Sequence, residues 1–173
     1  MKTYNELLEE LTAEGNYVSI GVTELPTSMV SYLPGKVTPE PHITIMYSPN
    51  TDIDKNKIQY VLNRRNMTGM RIMVTGVEVF DTTKDDSKEP IGCIVLRVSS
   101  PELNDIHNHL TRLGCRYTHD QYKPHATLIY DCPLEQCKIA AKEIEHNINE
   151  DGLFLTCTTF TNSSINKDWD KKS

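Results

Sequence analysis

The chain has 173 residues, with 18 Lys and Arg against 24 Asp and Glu, which gives a formal net charge of −6. This length suits one domain, or two closely packed halves, and it is enough to bury a core without disulfides or metals. The acidic balance argues against a protein that coats long nucleic acid, because each phosphate contact requires a cation. It still permits one small phosphorylated ligand in a pocket.

Other sequence features exclude secreted and membrane classes. No run approaches the roughly 20 apolar residues that a membrane span requires. Residues 1–15 contain four glutamates and lack the apolar core of a secretory signal. The five cysteines are odd in number and include no C-x-x-C motif. We therefore expect a cytoplasmic protein with reduced thiols, no membrane contact and no structural metal.

Helical and extended patterns alternate along the first half of the chain. Thr3 and Glu6 form a capping-box pattern in front of an apolar stripe, and the alternation after Gly15 is typical of a strand. The predicted elements are, in order, a helix over 3–14, a strand over 17–25, a proline-rich stretch with one helical turn near 27–33, a strand over 42–47, a helix over 52–65 and a strand over 70–81.

The second half repeats this alternation after a polar loop over 82–90, which is the predicted midpoint. Its elements are a strand over 91–99, a helix that Ser100 and Pro101 open and Gly114 closes, a strand over 124–130, a helix opened by Pro133, and a strand over 153–161. The pattern indicates an internal duplication. We predict a single bilobal domain over 1–173, with lobes at about 17–81 and 91–162 and a polar tail over 163–173.

One motif occurs in each half. The first half contains Pro41-His42-Ile43-Thr44-Ile45-Met46-Tyr47, and the second contains Pro124-His125-Ala126-Thr127-Leu128-Ile129-Tyr130. Pro, His, Thr and Tyr recur in the same places, and each copy lies on a predicted strand that a helix follows. The motif is therefore the strongest support for the duplication.

The spacing within each motif assigns its side chains to two faces. Side chains alternate across a strand, so residues two apart share a face. His42 and Thr44 therefore point the same way, as do His125 and Thr127, whereas the apolar residues between them face the core. The tyrosine that ends each motif has the parity of the core residues, so we predict a structural role for both tyrosines.

The duplicated His/Thr pair favours an active site. A single His-x-Thr on a strand is most often a surface feature without a functional role. That explanation does not account for two matched copies. Histidine is the side chain whose ordinary pKa suits acid–base chemistry near neutrality. His107 and His109 diverge on their predicted helix, and His119 is either solvated or close to the site. Because no ligand cluster accompanies the motifs, we expect no metal and no other cofactor.

These motifs resemble those of the two-histidine (2H) phosphoesterase superfamily. The second copy, Tyr122-Lys123-Pro124-His125-Ala126-Thr127-Leu128, is close to the family's aromatic-x-Pro-His-x-Thr-apolar form. The resemblance implies an α+β fold of two pseudo-symmetric lobes, whose antiparallel sheets face a central cleft where both motifs meet. An acidic chain with PHITIMYS early and YKPHATLIYD late is also similar to the phage anti-CBASS phosphodiesterases, which degrade cyclic oligonucleotide signals in the host cytoplasm.

The resemblance implies a metal-independent phosphodiesterase that cleaves 3′–5′ linkages of a cyclic di- or oligonucleotide ligand. One histidine, His42 or His125, takes a proton from the nucleophile, and the other protonates the leaving oxygen. Thr44 and Thr127 donate hydrogen bonds to phosphate oxygens. Two alternatives remain open. One is a 2′–5′ RNA ligase or 2′,3′-cyclic nucleotide phosphodiesterase that acts on RNA ends, and the other is a non-catalytic nucleotide-binding module.

Four further residues are candidate substrate contacts. Tyr122 either stacks on a base, contacts phosphate or packs beside the motif. Lys36 and Lys123 flank the motifs, and we predict that they line the mouth of the cleft. Trp169, in the polar tail, either stacks on a ligand base or pins the tail to the body of the protein.

We predict that activity survives excess EDTA, because the duplicated His/Thr pairs supply an acid, a base and hydrogen-bond donors without a metal. The measurement is turnover of a cyclic oligonucleotide with and without the chelator. Loss of activity in EDTA, reversed by a divalent cation, would contradict this mechanism.

Overall fold

The computed structural model describes Thr3, residues 14–84 and residues 89–165. Within these residues the chain forms seven strands and three α-helices, which confirms the predicted α+β class. The strands are β1 Asn16–Thr23, β2 Lys36–Val37, β3 His42–Ser48, β4 Arg71–Asp81, β5 Ile91–Ser99, β6 His125–Pro133 and β7 Phe154–Ser163. The helices are α1 Lys55–Asn63, α2 Pro101–Arg112 and α3 Leu134–Asp151, with a 3₁₀ turn at Thr27–Met29.

The predicted start of α2 agrees with the capping contacts of the structure, whereas α1 begins at Lys55 and not at residue 52. The Ser100 hydroxyl accepts from the Leu103 N–H, and Pro101 stands in the first turn of α2, where its missing N–H costs nothing. Strand β2 was not predicted, because two residues are too few to show alternation. Most of the predicted helix over 3–14, and Trp169, lie outside the described residues.

All seven strands belong to one antiparallel sheet in the order β2-β6-β3-β1-β7-β4-β5, and β5 also pairs with β6. The pairings follow a pseudo-twofold pattern, since β1 pairs with β3 and β7 as β5 pairs with β6 and β4. The β3–β6 and β4–β7 pairs join the two halves of the chain. The last strand of each half therefore pairs with the first strand of the other half. The division into lobes at 17–81 and 91–162 stays a prediction.

The helices cover the apolar face of this sheet. Helix α3 packs on β4 and β5, α2 packs on β3, and α1 packs on α2 and β7. The residues between the sheet and the helices, such as Ile43, Leu96 and Ala126, are fully buried. No helix in the described part of the chain is long and apolar enough to cross a membrane.

Strand β3 contains one extra residue relative to β1, and β6 contains two relative to β5; in each strand one β-bulge lies just after the motif threonine. Residues 45 and 46 are consequently both buried, and so are residues 128 and 129. The bulge reverses the alternation, so Tyr47 and Tyr130 emerge on the His/Thr face of the sheet. Our prediction of core parity for these tyrosines was wrong, because strict alternation does not hold across a bulge.

The close pairing of β4 with β5 makes Gly92 sensitive to substitution. A Cβ at Gly92 would lie 2.6 Å from the backbone oxygen of Phe80 and 2.9 Å from Leu134 Cδ1. We predict that Gly92→Ala lowers the free energy of unfolding by about 1–3 kcal/mol, because a ladder carbonyl cannot move aside without breaking its pairing. Urea denaturation measures this change.

Gly76 on β4 is the matched control, because a Cβ there would meet no heavy atom within 4 Å. Gly76→Ala should leave the stability unchanged or raise it by about 0.4–1 kcal/mol. Equal destabilisation by the two substitutions would contradict the explanation by close contact.

Candidate active site

A single backbone pair brings the two motifs together. Ile43 of β3 pairs with Ala126 of β6 in antiparallel register, and both side chains are fully buried. Paired residues of neighbouring strands point to the same face, so the residues on either side of them point to the opposite face. The histidine and threonine of both motifs therefore share one partly exposed face, and each histidine lies across the strand pair from the other motif's threonine.

Both histidine rings are oriented by the same backbone contact. His42 Nδ1 lies 2.8 Å from the oxygen of Glu40, and His125 Nδ1 lies 2.9 Å from the oxygen of Lys123. A carbonyl oxygen only accepts hydrogen bonds, so Nδ1 carries the proton in both rings. Nε2 of each ring is therefore the atom that binds or releases a proton.

The sequence reasoning missed Tyr17, which contacts the first pair. Its hydroxyl lies 2.9 Å from His42 Nε2 and 2.9 Å from Thr44 Oγ1. Its ring packs edge-on against His42 and against Tyr47. Burial raises the pKa of Tyr17, so the phenol remains a hydrogen-bond donor near neutral pH. The signal in the sequence was its position on β1, where alternation places it on the same face as Ser19 and Gly21.

The surroundings of the second pair are charged and were also missed. Arg97 pairs with His125 across β5 and β6 and so shares its face. Arg97 binds Glu78 through two contacts of 2.5 Å, from Nε to Oε1 and from Nη2 to Oε2. The hydrogen bond from Arg97 lowers the pKa of Glu78, which remains ionised at neutral pH. Phe80 packs edge-on against His125, with ring centroids 5.6 Å apart.

A cavity opens beside each histidine. The cavity at His125 has a volume of about 430 Å³, and its walls include Phe80, Arg97, His119 and Lys123. His119 thus approaches the site, which was one of the two alternatives for this residue. The cavity at His42 has a volume of about 330 Å³, and its lining includes five residues that carry hydroxyl groups, which are Tyr17, Ser19, Thr159, Thr161 and Ser163. The two sides of the site therefore offer different chemistry.

The predicted substrate contacts lie in different surroundings. Lys123 lines the cavity at His125. Lys36 pairs with Tyr130 and so lies on the face on which that tyrosine emerges. The Tyr122 hydroxyl donates a hydrogen bond to the backbone oxygen of Thr44 at 2.8 Å. This contact fits the alternative in which Tyr122 packs beside the motif. Among the described residues, no group of three or more His, Cys, Asp or Glu side chains is arranged to hold a metal ion.

The antiparallel α+β fold, with both His/Thr pairs on one face of the sheet, is the arrangement that the resemblance to the two-histidine phosphoesterases implied. The sequence profile of the family described as "Anti-CBASS protein Acb1" matches residues 33–172. The chain belongs to this family, which confirms both levels of the resemblance seen in the sequence. No curated protein sequence matches the chain.

Several solved structures resemble this chain at low sequence identity. Usb1 of Kluyveromyces marxianus superposes with a TM-score of 0.57 and 5% identity, over 89% of this chain and 95% of that chain. The PDE domain of MHV ns2 has a TM-score of 0.46 and 16% identity, over 88% of this chain and 99% of that chain. E. coli LigT, solved with 3′-AMP, has a TM-score of 0.41 and 15% identity, over 68% and 74%. The similarity to Usb1 independently supports the fold.

We predict that His42→Ala and His125→Ala each lose nearly all phosphodiesterase turnover, because an acid and a base that act together are strongly non-additive. Thr44→Ala and Thr127→Ala should each lose about 10- to 1000-fold, as for one oxyanion-type donor. Product release from a cyclic nucleotide, separated by chromatography, measures the rate.

His146→Ala is the control, because this histidine is exposed on α3 and should tolerate the change. All the motif variants should retain the wild-type circular dichroism spectrum and melting temperature, since their side chains lie off the core. An active His42→Ala protein, or a loss explained by unfolding, would count against the assignment.

Proposed function

We propose that this protein cleaves 3′–5′ linkages of a cyclic oligonucleotide signal by metal-independent acid–base catalysis, and that it does so in the host cytoplasm as a phage anti-CBASS enzyme. The observation that carries this proposal is the convergence of two His/Thr pairs on one face, with the Nδ1 atom of each ring bound to a backbone oxygen and Nε2 left as the atom that exchanges a proton. Membership in the anti-CBASS family supports a cyclic nucleotide as the substrate.

The chemistry follows from the two oriented rings. One histidine, neutral at Nε2, removes the proton from a ribose 2′-OH, and the oxygen attacks the adjacent phosphorus. The bond from phosphorus to the 5′-oxygen breaks as the other histidine, protonated at Nε2, gives its proton to that oxygen. The entering and leaving oxygens lie on opposite sides of the phosphorus, which suits two rings that come from different strands. The products are a 2′,3′-cyclic phosphate and a 5′-hydroxyl.

Hydroxyl groups stabilise the charge that develops on the non-bridging oxygens. Thr44 and Thr127 are the donors that the motif supplies, and the Tyr17 hydroxyl stands between His42 Nε2 and Thr44 Oγ1. Preorganised donors of this kind stabilise a transition state by about 3–4 kcal/mol each. A protein with net negative charge can thus act on a phosphodiester, because neutral donors and an imidazolium act locally.

The two cavities support a substrate that extends on both sides of the scissile phosphate. Phe80 offers a ring face and Lys123 a cation to the nucleotide beside His125. The hydroxyl groups beside His42, such as those of Thr159 and Thr161, suit the ribose and phosphate of the other nucleotide. A short cyclic oligonucleotide presents nucleotides on both sides, whereas a single cyclic mononucleotide fills one cavity.

The test is incubation with cyclic di- and trinucleotides, 2′,3′-cyclic mononucleotides and 2′–5′-linked RNA, with products identified by mass. We expect cleavage of a 3′–5′-linked cyclic oligonucleotide to products that end in a 2′,3′-cyclic phosphate or a 3′-phosphate. A 2′-deoxy substitution at the scissile ribose should block cleavage and leave binding largely intact, because it removes the nucleophile.

Three results would overturn parts of this proposal. Turnover confined to RNA ends would show that RNA ends, and not cyclic oligonucleotides, are the substrate. Nucleotide binding without turnover would indicate a binding module. A 5′-phosphate product, or unimpaired cleavage of the 2′-deoxy analogue, would show that water is the nucleophile.

A further inference from the structure

The loop before β6 is bonded directly to the first motif. The Tyr122 hydroxyl donates to the backbone oxygen of Thr44 at 2.8 Å, across 78 residues of sequence. Tyr122 stands only three residues before His125, and Lys123 between them supplies the oxygen that orients the His125 ring. One hydroxyl thus connects the segment that carries the second histidine to the backbone of the first threonine.

A buried histidine makes the next contact along β3. His107 of α2 is 7% exposed, and its Nδ1 donates to the backbone oxygen of Ile45 at 2.7 Å. Its ring stacks on the Tyr122 ring with centroids 4.2 Å apart and planes within 4°. Burial lowers the pKa of His107 and raises that of Tyr122, so both remain neutral donors. Two consecutive carbonyls of β3 are therefore bound by one stacked pair of side chains.

The backbone pairing between the two motif strands ends before this segment. β3 and β6 share the pair Ile43–Ala126, and the bulge of β3 follows immediately after Thr44. A bulge interrupts the regular ladder and changes the local twist. The Thr44–Ile45 backbone therefore depends on side-chain donors for its position relative to β6.

We propose that Tyr122 and His107 are positioning residues, which hold the Thr44–Ile45 backbone against the second motif and so set the separation of the two His/Thr pairs. The proposal rests on the phosphodiester cleavage proposed above. Neither residue donates to the substrate, since both donor atoms are bound to backbone oxygens. A displacement of about 1 Å in a catalytic group costs roughly 100-fold in rate, so the loss of either bond should reduce turnover.

Tyr122→Phe tests the first bond, because it removes one oxygen and keeps the ring on His107. We expect kcat to fall about 10- to 100-fold with little change in KM. Tyr60→Phe is the control. Its hydroxyl accepts a hydrogen bond from Arg64 on the exposed side of α1, and its loss should leave kcat within twofold of the wild type.

Paired substitutions of His107 separate positioning from packing. His107→Asn keeps an N–H donor near the place of Nδ1 but removes most of the ring, whereas His107→Phe keeps a ring that can stack and removes the donor. If the hydrogen bond positions the motif, the Asn variant should have the higher kcat, even where its melting temperature is the lower. A packing role alone predicts a higher kcat for the Phe variant, and that result would overturn the proposal.

The activity of the wild-type protein separates a failure of this positioning proposal from a failure of the proposed function. An active wild type with an equally active Tyr122→Phe variant overturns the positioning role alone. If the wild type cleaves none of the phosphodiester substrates, the proposed function fails, and the imidazole NMR signals of His42 and His125 then test the positioning. Shifted signals in Tyr122→Phe, with unshifted signals in Tyr60→Phe, support the positioning role, and unchanged signals in both variants overturn it.

Discussion

The pairing of Ile43 with Ala126 is the contact on which the site depends. It places the two motif strands side by side and antiparallel, with both apolar side chains fully buried in the core. Antiparallel register then orients the polar residues on either side of this pair to the opposite face. A shift of one residue in either strand would turn one His/Thr pair into the core, where unpaired imidazole and hydroxyl groups would be costly to bury.

The pseudo-twofold pattern of strand pairing is not matched by the side chains around the two histidines. His42 has a tyrosine hydroxyl between its Nε2 and the neighbouring threonine, together with a cavity of hydroxyl groups. His125 has an aromatic ring and the Arg97–Glu78 ion pair. In cleavage of a phosphodiester, the entering oxygen must lose a proton and the leaving oxygen must gain one. Unequal surroundings therefore allow two like histidines to take unlike roles.

The site also explains how a protein with net negative charge can act on a phosphodiester. Long-range attraction of a polyanion requires many cations, and this chain has a net charge of −6. The cations near the site are few, and Arg97 is already bound to Glu78. Under the proposed function, binding of one phosphodiester relies on directed hydrogen bonds in a partly enclosed site, where such bonds are stronger than in water.

The sequence alone determined the elements and the quartet of catalytic candidates. Hydrophobic periodicity, capping residues and the repeated Pro-His-x-Thr pattern are local signals, and they predicted most of the strands and helices and the shared face of each His/Thr pair, whereas the α+β class was what the family resemblance implied. The family resemblance rested on the same residues. The tyrosines that end the motifs were misassigned, because a bulge depends on the neighbouring strand's register and leaves no mark in the alternation of one strand.

Only the tertiary structure decided which other residues meet the quartet. Tyr17, Arg97 and Glu78 lie on three different strands, and the partners of a strand are chosen by the packing of the whole sheet. Tyr122 and His107 meet through a loop and a helix that are adjacent only after folding. Contacts across tens of residues are set by how strands pair and helices pack, so no local pattern in the chain contains them.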